Sequence, residues 1–374
     1  MTATTNLFLY GTLRDPELLG IVAGSSPSGR QATLADHAVF WAKGEAFPII
    51  ASQPGSHTEG ILIEADPTQK AGLDYYELDF GYMLVDATFS VGAEQIDGQL
   101  YVPKPKKWEI GELWSLSEWQ AQHGALAREA AVEYMRLQPW LSAADAGRVF
   151  SQIRSRAFSR IRARKSPSPQ VPGTTYAAAD VLISKTSQPY TDYFAVREDW
   201  LQFPRYDGSL SRAVKRASFL GGDAVTVLPF DPKTEKVLAI QQFRHGALVR
   251  GDTNPWCLEP PAGRIDPGET AEEAALRELS EEAGLLANSL LKIAEYYPTS
   301  GAFSEHLTSF IARCDLDGRD AFVGGVKGEA EDILSHVMPL ADLLEMCRTG
   351  QANTGPLIMS ALWLEANRHT LGTE

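Results

Sequence analysis

Residues 263–285, GRIDPGETAEEAALRELSEEAGL, leave the chain few local choices. Asp266, Pro267 and Gly268 form a turn signal. Thr270 then stands three residues before Glu273, a pairing in which a hydroxyl and a carboxylate satisfy the free N–H groups of a helix start. The spacing predicts a helix that begins at Thr270 and is stopped by Gly284. Within it Leu276, Leu279 and Ala283 recur at three- and four-residue intervals and are expected to face a core, while Glu278, Glu281 and Glu282 share another face. Like charges at this spacing repel and weaken a helix, so something has to compensate. Clustered hard oxygen ligands suit Mg²⁺ or Mn²⁺, ions that neutralise phosphate oxygens and activate water. A merely solvated acidic face has no use for Gly263, the Pro-Gly turn, Glu269, Arg277 and Gly284 at their present offsets.

The stretch resembles the Nudix box, G-x5-E-x7-R-E-U-x-E-E-x-G-U with U apolar. Gly263, Glu269, Arg277, Glu278, Leu279, Glu281, Glu282, Gly284 and Leu285 fill its defined positions. The resemblance implies Glu278 and Glu282 as the main metal ligands, Glu281 as an assisting carboxylate and the carbonyl of Ala262 as a further ligand. Arg277 is expected to orient the carboxylates through Glu281 or Glu273.

At 374 residues the chain is too long for one ordinary core, so two or three domains are expected. No run of about eighteen apolar residues is present. The opening MTATTNLFLYGTLR lacks the basic and apolar segments of a secretion signal. No membrane partner is expected, and the expected location is cytoplasmic. Cys257, Cys314 and Cys347 are far apart and without CxxC spacing, which indicates neither a disulfide framework nor a zinc site. A net charge of −14 argues against nucleic acid as a partner. One stretch segregates positive charge: Arg148, Arg154, Arg156, Arg160, Arg162, Arg164 and Lys165 follow one another with no acidic residue between Asp145 and Asp180. A basic helix packed on an acidic protein is the commoner origin of such a run; a phosphate-binding patch is the other.

Near the N-terminus Leu7-Phe8-Leu9 is a strand signal, and Tyr10-Gly11-Thr12-Leu13-Arg14 turns out of it towards a helix marked by Asp15 and Pro16. Such a turn presents backbone N–H groups to an anion. Strand-like runs at residues 58–64, 82–91 and 99–102 bracket Leu73-Asp74-Tyr75-Tyr76-Glu77, with Gly81-Tyr82 following. Over about residues 5–105 this combination resembles the γ-glutamylcyclotransferase-like fold. The resemblance implies Tyr10, Gly11, Thr12 and Leu13 as a substrate loop and Glu77 as the acid/base that would cyclise a γ-glutamyl amine. A carboxylate near the amine and N–H donors for the α-carboxylate are what that chemistry needs. A binding or sensing module without turnover is the alternative.

Residues 111–164 read as helical, broken at Pro139-Trp140, and the Pro- and Ser-rich segment from Ser166 reads as a linker. No internal repeat is visible. The expected architecture is therefore α+β in two domains: a γ-glutamylcyclotransferase-like mixed β-barrel with helices over 1–165, a linker over 166–178, and a Nudix α/β/α sandwich over 179–374.

The second half opens with strand-like residues 181–187 and 193–201 and a hairpin signal at Tyr206-Asp207-Gly208. Apolar strands at 224–230 and 236–244 and the stretch 256–262 lead into the box. Over about residues 180–368 this order resembles the ADP-ribose pyrophosphatase branch of Nudix hydrolases. That branch implies a homodimer made by exchange of the opening strands, Glu329 as catalytic base and Glu331 as a further metal ligand. It also implies Arg244 and Arg216 as substrate contacts, and Gly301 and Glu305 in a loop that meets the terminal ribose. Two departures are visible. Gly221 stands where relatives can carry arginine, and Phe303 stands where they tend to threonine. The implied activity is Mg²⁺-dependent hydrolysis of ADP-ribose to AMP and ribose 5-phosphate, with a nucleotide sugar or dinucleotide as alternative substrate.

Overall fold

The computed structural model describes residues 4–166, 176–319, 323–325 and 332–371. It divides into two compact units, Met1–Thr174 with Tyr190–Tyr193, and Thr175–Pro189 with Phe194–Glu374.

The first unit runs β1 (Thr5–Leu9), α1 (Pro16–Ala23), β2 (Gly29–Ala42), β3 (Pro48–Ala65), α2 (Pro67–Glu77), β4 (Tyr82–Val91), β5 (Glu94–Pro103), β6 (Ile110–Leu113), α3 (Leu116–Trp119), α4 (Ala125–Leu137), α5 (Ala143–Arg148) and α6 (Phe150–Lys165). Strands order as β3-β1-β5-β4-β2, and pairing of β2 with β3 closes them into a five-stranded barrel, to which β6 adds on β2. The β1–β5 pair is parallel and makes the barrel mixed. Alternation along β1 sorts its residues between two cores. Phe8 and Tyr10 join Leu34, Leu62, Phe89 and Leu100, contributed by the barrel strands, whereas Leu7 and Leu9 pack with Leu18 and Val22 of α1 and Leu73 of α2. Gly60 is part of this arrangement, since a Cβ there would stand 2.4 Å from Cζ of Phe8, whose ring stacks on Phe89 at 4.6 Å.

The structure corrects two expectations and adds a strand that the sequence reading does not contain. The 14-residue strand β2 is not legible in the sequence, because GRQATLADHAVFWA mixes polar residues and alanines without a clean apolar alternation. Residues 111–113 open the segment read as helical but belong to β6, a strand on β2. The start of α1 is not left open to an external anion: the Asp15 carboxylate accepts from Leu18 N at 2.9 Å and is itself held by Arg128 and Gln120. From Arg154 on, the basic run is one packed helix, α6, with Arg148 ending α5 before it. Arg156, 2 % exposed, pairs with the equally buried Glu133, and Arg160 and Arg164 both reach Glu129 of α4.

The second unit runs β7 (Leu182–Thr191), β8 (Ala195–Gln202), β9 (Val214–Leu220), β10 (Ala224–Asp231), β11 (Lys236–Phe243), α7 (His245–Arg250), β12 (Trp256–Glu259), β13 (Ala262–Arg264), α8 (Ala271–Ala283), β14 (Ser289–Tyr296), β15 (Leu307–Arg313), β16 (Val323–Gly324), β17 (Ile333–Pro339), α9 (Leu340–Thr349) and α10 (Gly355–Asn367). Strands β7-β8-β9 make a sheet of their own, and a turn at residues 206–208 lies between β8 and β9. The main sheet is mixed, in the order β14-β15-β10-β11-β17-β16, with β12 on β11 and β13 on β10. Each residue of β10 is buried, which is why it reads as a largely apolar run, broken by Thr226 and closed by Asp231, rather than an alternating one. Helices α9 and α10 cover Leu228, Phe230, Val237, Ala239 and Ile311, while α8 packs against β10 and β13.

Candidate active site

Helix α8 starts and stops as its sequence predicts. Thr270 Oγ1 accepts from Glu273 N at 3.1 Å, Glu273 Oε2 accepts from Thr270 N at 2.8 Å, and Gly284 is left-handed at φ 60°. The buried face differs from the expected one. Leu276 is 44 % exposed, and the face laid on the sheet consists of Ala271, Ala274, Ala275, Leu279 and Ala283 together with Glu278 and Glu282. Four small alanines let the helix lie close to the strands, and the two glutamates on the same face are carried inwards with it.

Glu282 is 2 % exposed and accepts a 2.7 Å hydrogen bond from Ala262 N. Glu278 lies directly over Gly263, where a Cβ would come within 1.7 Å of its Oε1. Arg277 ties the cluster together. It donates to both oxygens of Glu269 at 3.0 Å, to Glu278 Oε1 at 2.6 Å, to Glu281 Oε2 at 3.2 Å and to the carbonyl of Arg264 at 2.9 Å. Glu269 first, and then Glu278, raises Arg277 above the usual arginine range. Of the two expected partners Glu281 is engaged, whereas Glu273 is used by the helix cap. Among the described residues no three His, Cys, Asp or Glu side chains converge as a complete metal cage. The donor set that is present, two buried carboxylates one helical turn apart against a glycine strand, fits a hard divalent ion that takes its remaining ligands from elsewhere. Glu329 and Glu331 lie outside the described residues.

A second charged group belongs to the same unit. Arg244 donates from Nε to Glu259 Oε2 at 2.6 Å, and burial raises the Glu259 carboxyl against the pull of that arginine. Glu305 is likewise raised by burial; Arg264 and Arg244 oppose the rise, and Asp223 adds to it. The Arg264 guanidinium lies 5.7 Å from the ring centre of Phe194. Sequence reasoning does not single out Arg264, Glu259, Asp223 or Phe194, although the position of Arg264 directly after the first glycine of the box is an available signal. Arg216 is not brought into this group: it is exposed on β9, and its guanidinium donates to the carbonyl of Lys215. Gly301 is exposed in the turn before Phe303.

The two departures noted in the sequence form one contact. A Cβ on Gly221 would stand 2.5 Å from Cζ of Phe303, whose ring meets Phe194 edge-on at 5.7 Å. Phe219 N donates to Ala302 O at 2.8 Å and Ser304 N to Phe219 O at 3.0 Å, so the loop is stitched to the end of β9.

In the first unit Tyr10, Gly11, Thr12, Leu13 and Glu77 line one cavity of about 390 Å³. Burial pushes the Glu77 carboxyl up to about 8 and raises the Tyr10 hydroxyl, with Glu77 adding to the latter. Glu77 is therefore mostly protonated at neutral pH and is a hydrogen-bond donor as well as an acceptor.

The glutamate-bearing helix packed on a glycine strand of a mixed sheet is the arrangement that the resemblance to the Nudix box implies for the second unit. Family comparison gives the assignment its extent: the NUDIX domain matches residues 221–358 and the gamma-glutamyl cyclotransferase, AIG2-like family matches residues 7–121. The chain thus joins an AIG2-like domain to a NUDIX domain. The ADP-ribose pyrophosphatase of Escherichia coli (strain K12) is 29 % identical over 200 residues, 54 % of this chain and 95 % of that protein. The ADP-ribose pyrophosphatase of Haemophilus influenzae is 27 % identical over 194 residues, 51 % of this chain and 89 % of that protein. A GDP-mannose pyrophosphatase of Escherichia coli (strain HS) is 29 % identical over 176 residues, 47 % of this chain and 90 % of that protein. A crystal structure of an ADP compounds hydrolase covers 54 % of this chain and 100 % of its own at 22 % identity, with a TM-score of 0.41.

Proposed function

We propose that the NUDIX unit is a Mg²⁺-dependent hydrolase that splits ADP-ribose and water into AMP and ribose 5-phosphate. The observation that carries the proposal is the pair Glu278 and Glu282, both buried, both on the sheet side of α8 and both held in place, by Arg277 and by Ala262 N respectively. These two carboxylates and the carbonyl of Ala262 would hold the ion, with Glu331 as a further ligand by resemblance. Once bound, such an ion supplies charge relief for a diphosphate and a more acidic water.

The remaining work falls to side chains of this chain. Arg277 neutralises the repulsion among Glu269, Glu278 and Glu281 and fixes their rotamers. Arg244 is oriented by Glu259 through Nε, which leaves its terminal nitrogens to pair with a phosphate. Glu305 and Gly301 would meet the sugar, and Glu329 would take the proton of the attacking water, by the same resemblance. Arg216, exposed on β9, would act only from the sheet β7–β9. That sheet leaves Leu182, Ile183 and Phe219 exposed, which supports a homodimer formed through it. Light scattering of the full chain tests the dimer.

A nucleotide sugar or dinucleotide is the competing substrate, left open by Gly221 and by Phe303, whose ring takes the space of a side chain at 221. Turnover of ADP-ribose, GDP-mannose and a dinucleoside diphosphate with Mg²⁺ separates the readings. ADP-ribose is expected to be the best substrate, and Glu282→Gln to lower its kcat about a hundredfold. Failure to turn over ADP-ribose, or a wild-type rate in Glu282→Gln, overturns the assignment. For the first unit, the shared cavity of Glu77 and the Tyr10–Leu13 loop supports cyclisation of a γ-glutamyl amine with Glu77 moving the proton. Release of 5-oxoproline, lost in Glu77→Gln, tests that activity.

A further inference from the structure

The cavity of the first unit has two origins. Tyr10, Glu77 and their neighbours belong to the AIG2-like residues 7–121, but one wall is built by chain beyond them, from Leu126, Ala127 and Ala130 of α4 and Phe150 and Arg154 of α6. We propose that this added wall makes the cavity a binding site for a small monocarboxylate with an apolar, ring-bearing body, the carboxylate being held by Arg154.

The arginines of α6 supply the first argument. Arg156, Arg160 and Arg164 are each paired to a glutamate of α4, at 2.8, 2.5 and 2.6 Å. Arg154 is half-buried, lines the cavity and has no carboxylate within ion-pair distance among the described residues. A guanidinium turned towards apolar surface without a counter-charge is unfavourable until a ligand provides one.

Among the described residues that line the cavity, no other titratable group provides it. Glu77 is protonated at neutral pH because burial pushes it up to about 8. His123 is lowered by burial and by Arg154 itself, which keeps it neutral. Glu45 and Lys107 are exposed and opposite in sign, so they cancel to first order. One positive charge is left over.

The rest of the lining is dominated by rings. Phe47 and Trp108 lie 5.0 Å apart, Tyr82 and Trp108 5.2 Å, and Phe80 and Phe150 4.7 Å, centre to centre. These faces suit a flat or branched apolar body, and about 390 Å³ is at the small end of ordinary ligand sites, which begin near about 300 Å³. The site stands independently of the pyrophosphatase reading and of any turnover by Glu77.

The test uses the full chain and three probes of one shape: 3-phenylpropionate, its amide and 3-phenylpropylamine. Binding is read from the emission of Trp108 and Trp119, which line the cavity, and by calorimetry. The acid is expected to bind saturably at millimolar concentration or below, and the amide and amine about tenfold or more weakly. Arg154→Gln is expected to reduce the acid to the level of the amide while leaving the amide unchanged, an effect that general unfolding would not produce; Arg154→Lys should retain part of the preference. No saturable binding of the acid, equal binding of acid and amide, or an acid affinity indifferent to Arg154→Gln overturns the proposal.

Discussion

Gly263 and Glu278 are packed so closely that a Cβ on the glycine would stand 1.7 Å from Oε1 of the glutamate and 2.2 Å from its Cδ. The obstructed atoms are the end of a flexible side chain, so an alanine at 263 displaces the carboxylate before it displaces backbone. Gly263→Ala is therefore expected to change the melting temperature little and to raise the Mg²⁺ concentration for half-maximal turnover about tenfold or more, as losses of ligand support commonly do. Mg²⁺ titration of the pyrophosphatase rate checks this. An unchanged requirement would mean that Glu278 does not hold the ion.

Arg277 reaches three carboxylates and one carbonyl at once, and only a planar, forked donor does that. Arg277→Lys keeps the charge and loses the span. Its expected consequence is a fall in kcat of about tenfold or more with KM for substrate nearly unchanged, since the loss lies in the placement of ligands rather than in contact with the nucleotide. Steady-state kinetics at saturating Mg²⁺ decide the matter, and a wild-type kcat would show that the glutamates keep their places unaided.

What is legible in the sequence and what is not divides along physical lines. The cap at Thr270 and Glu273, the stop at Gly284 and the buried strand β10 are local or composition-driven, and the sequence predicts each of them. The buried face of α8 escapes such reading because three- and four-residue spacing marks a face without saying which of two overlapping faces is covered; Leu276 loses to four alanines and two glutamates. Strand β2 escapes it because a barrel strand needs only one apolar side, and Asp36 and His37 interrupt even that one. Arg264 and Glu259 stand out through partners such as Phe194 and Arg244, contacts that no sequence window contains.

Gly221 and Phe303 are a contact of the same long-range kind. The ring occupies the room that a side chain at 221 would take, since a Cβ there would lie 2.5 Å from Cζ and 2.7 Å from Cε2. Gly221→Ala alone must push the ring and its stitched loop aside and is expected to destabilise the second unit. With Phe303→Thr the space is free and most of that loss should vanish, a coupling of about 1 kcal/mol between the sites. Phe303→Thr by itself should change the ratio of ADP-ribose to GDP-mannose turnover. Melting curves of the two single variants and the double variant measure the coupling; strict additivity would show that the residues do not touch.

Glu77 makes the stability of the first unit depend on pH in a direction opposite to that of a salt-bridged carboxylate. In the folded chain burial holds its proton up to about 8, whereas in the unfolded chain a glutamate releases it near about 4.3. Between these values the folded state binds more protons than the unfolded state, so stability falls as pH rises through the window and the fall levels off above about 8. Below the lower value both states are protonated and the residue is neutral to stability. Glu77→Gln cannot ionise and escapes the penalty while keeping the shape. The melting temperature of the variant's first transition is therefore expected to match the wild type near pH 4, to exceed it by a margin that widens up to about pH 8, and to keep that margin above. Paired thermal melts across this range measure it, and parallel curves would place the Glu77 carboxyl in water rather than in the wall of the cavity.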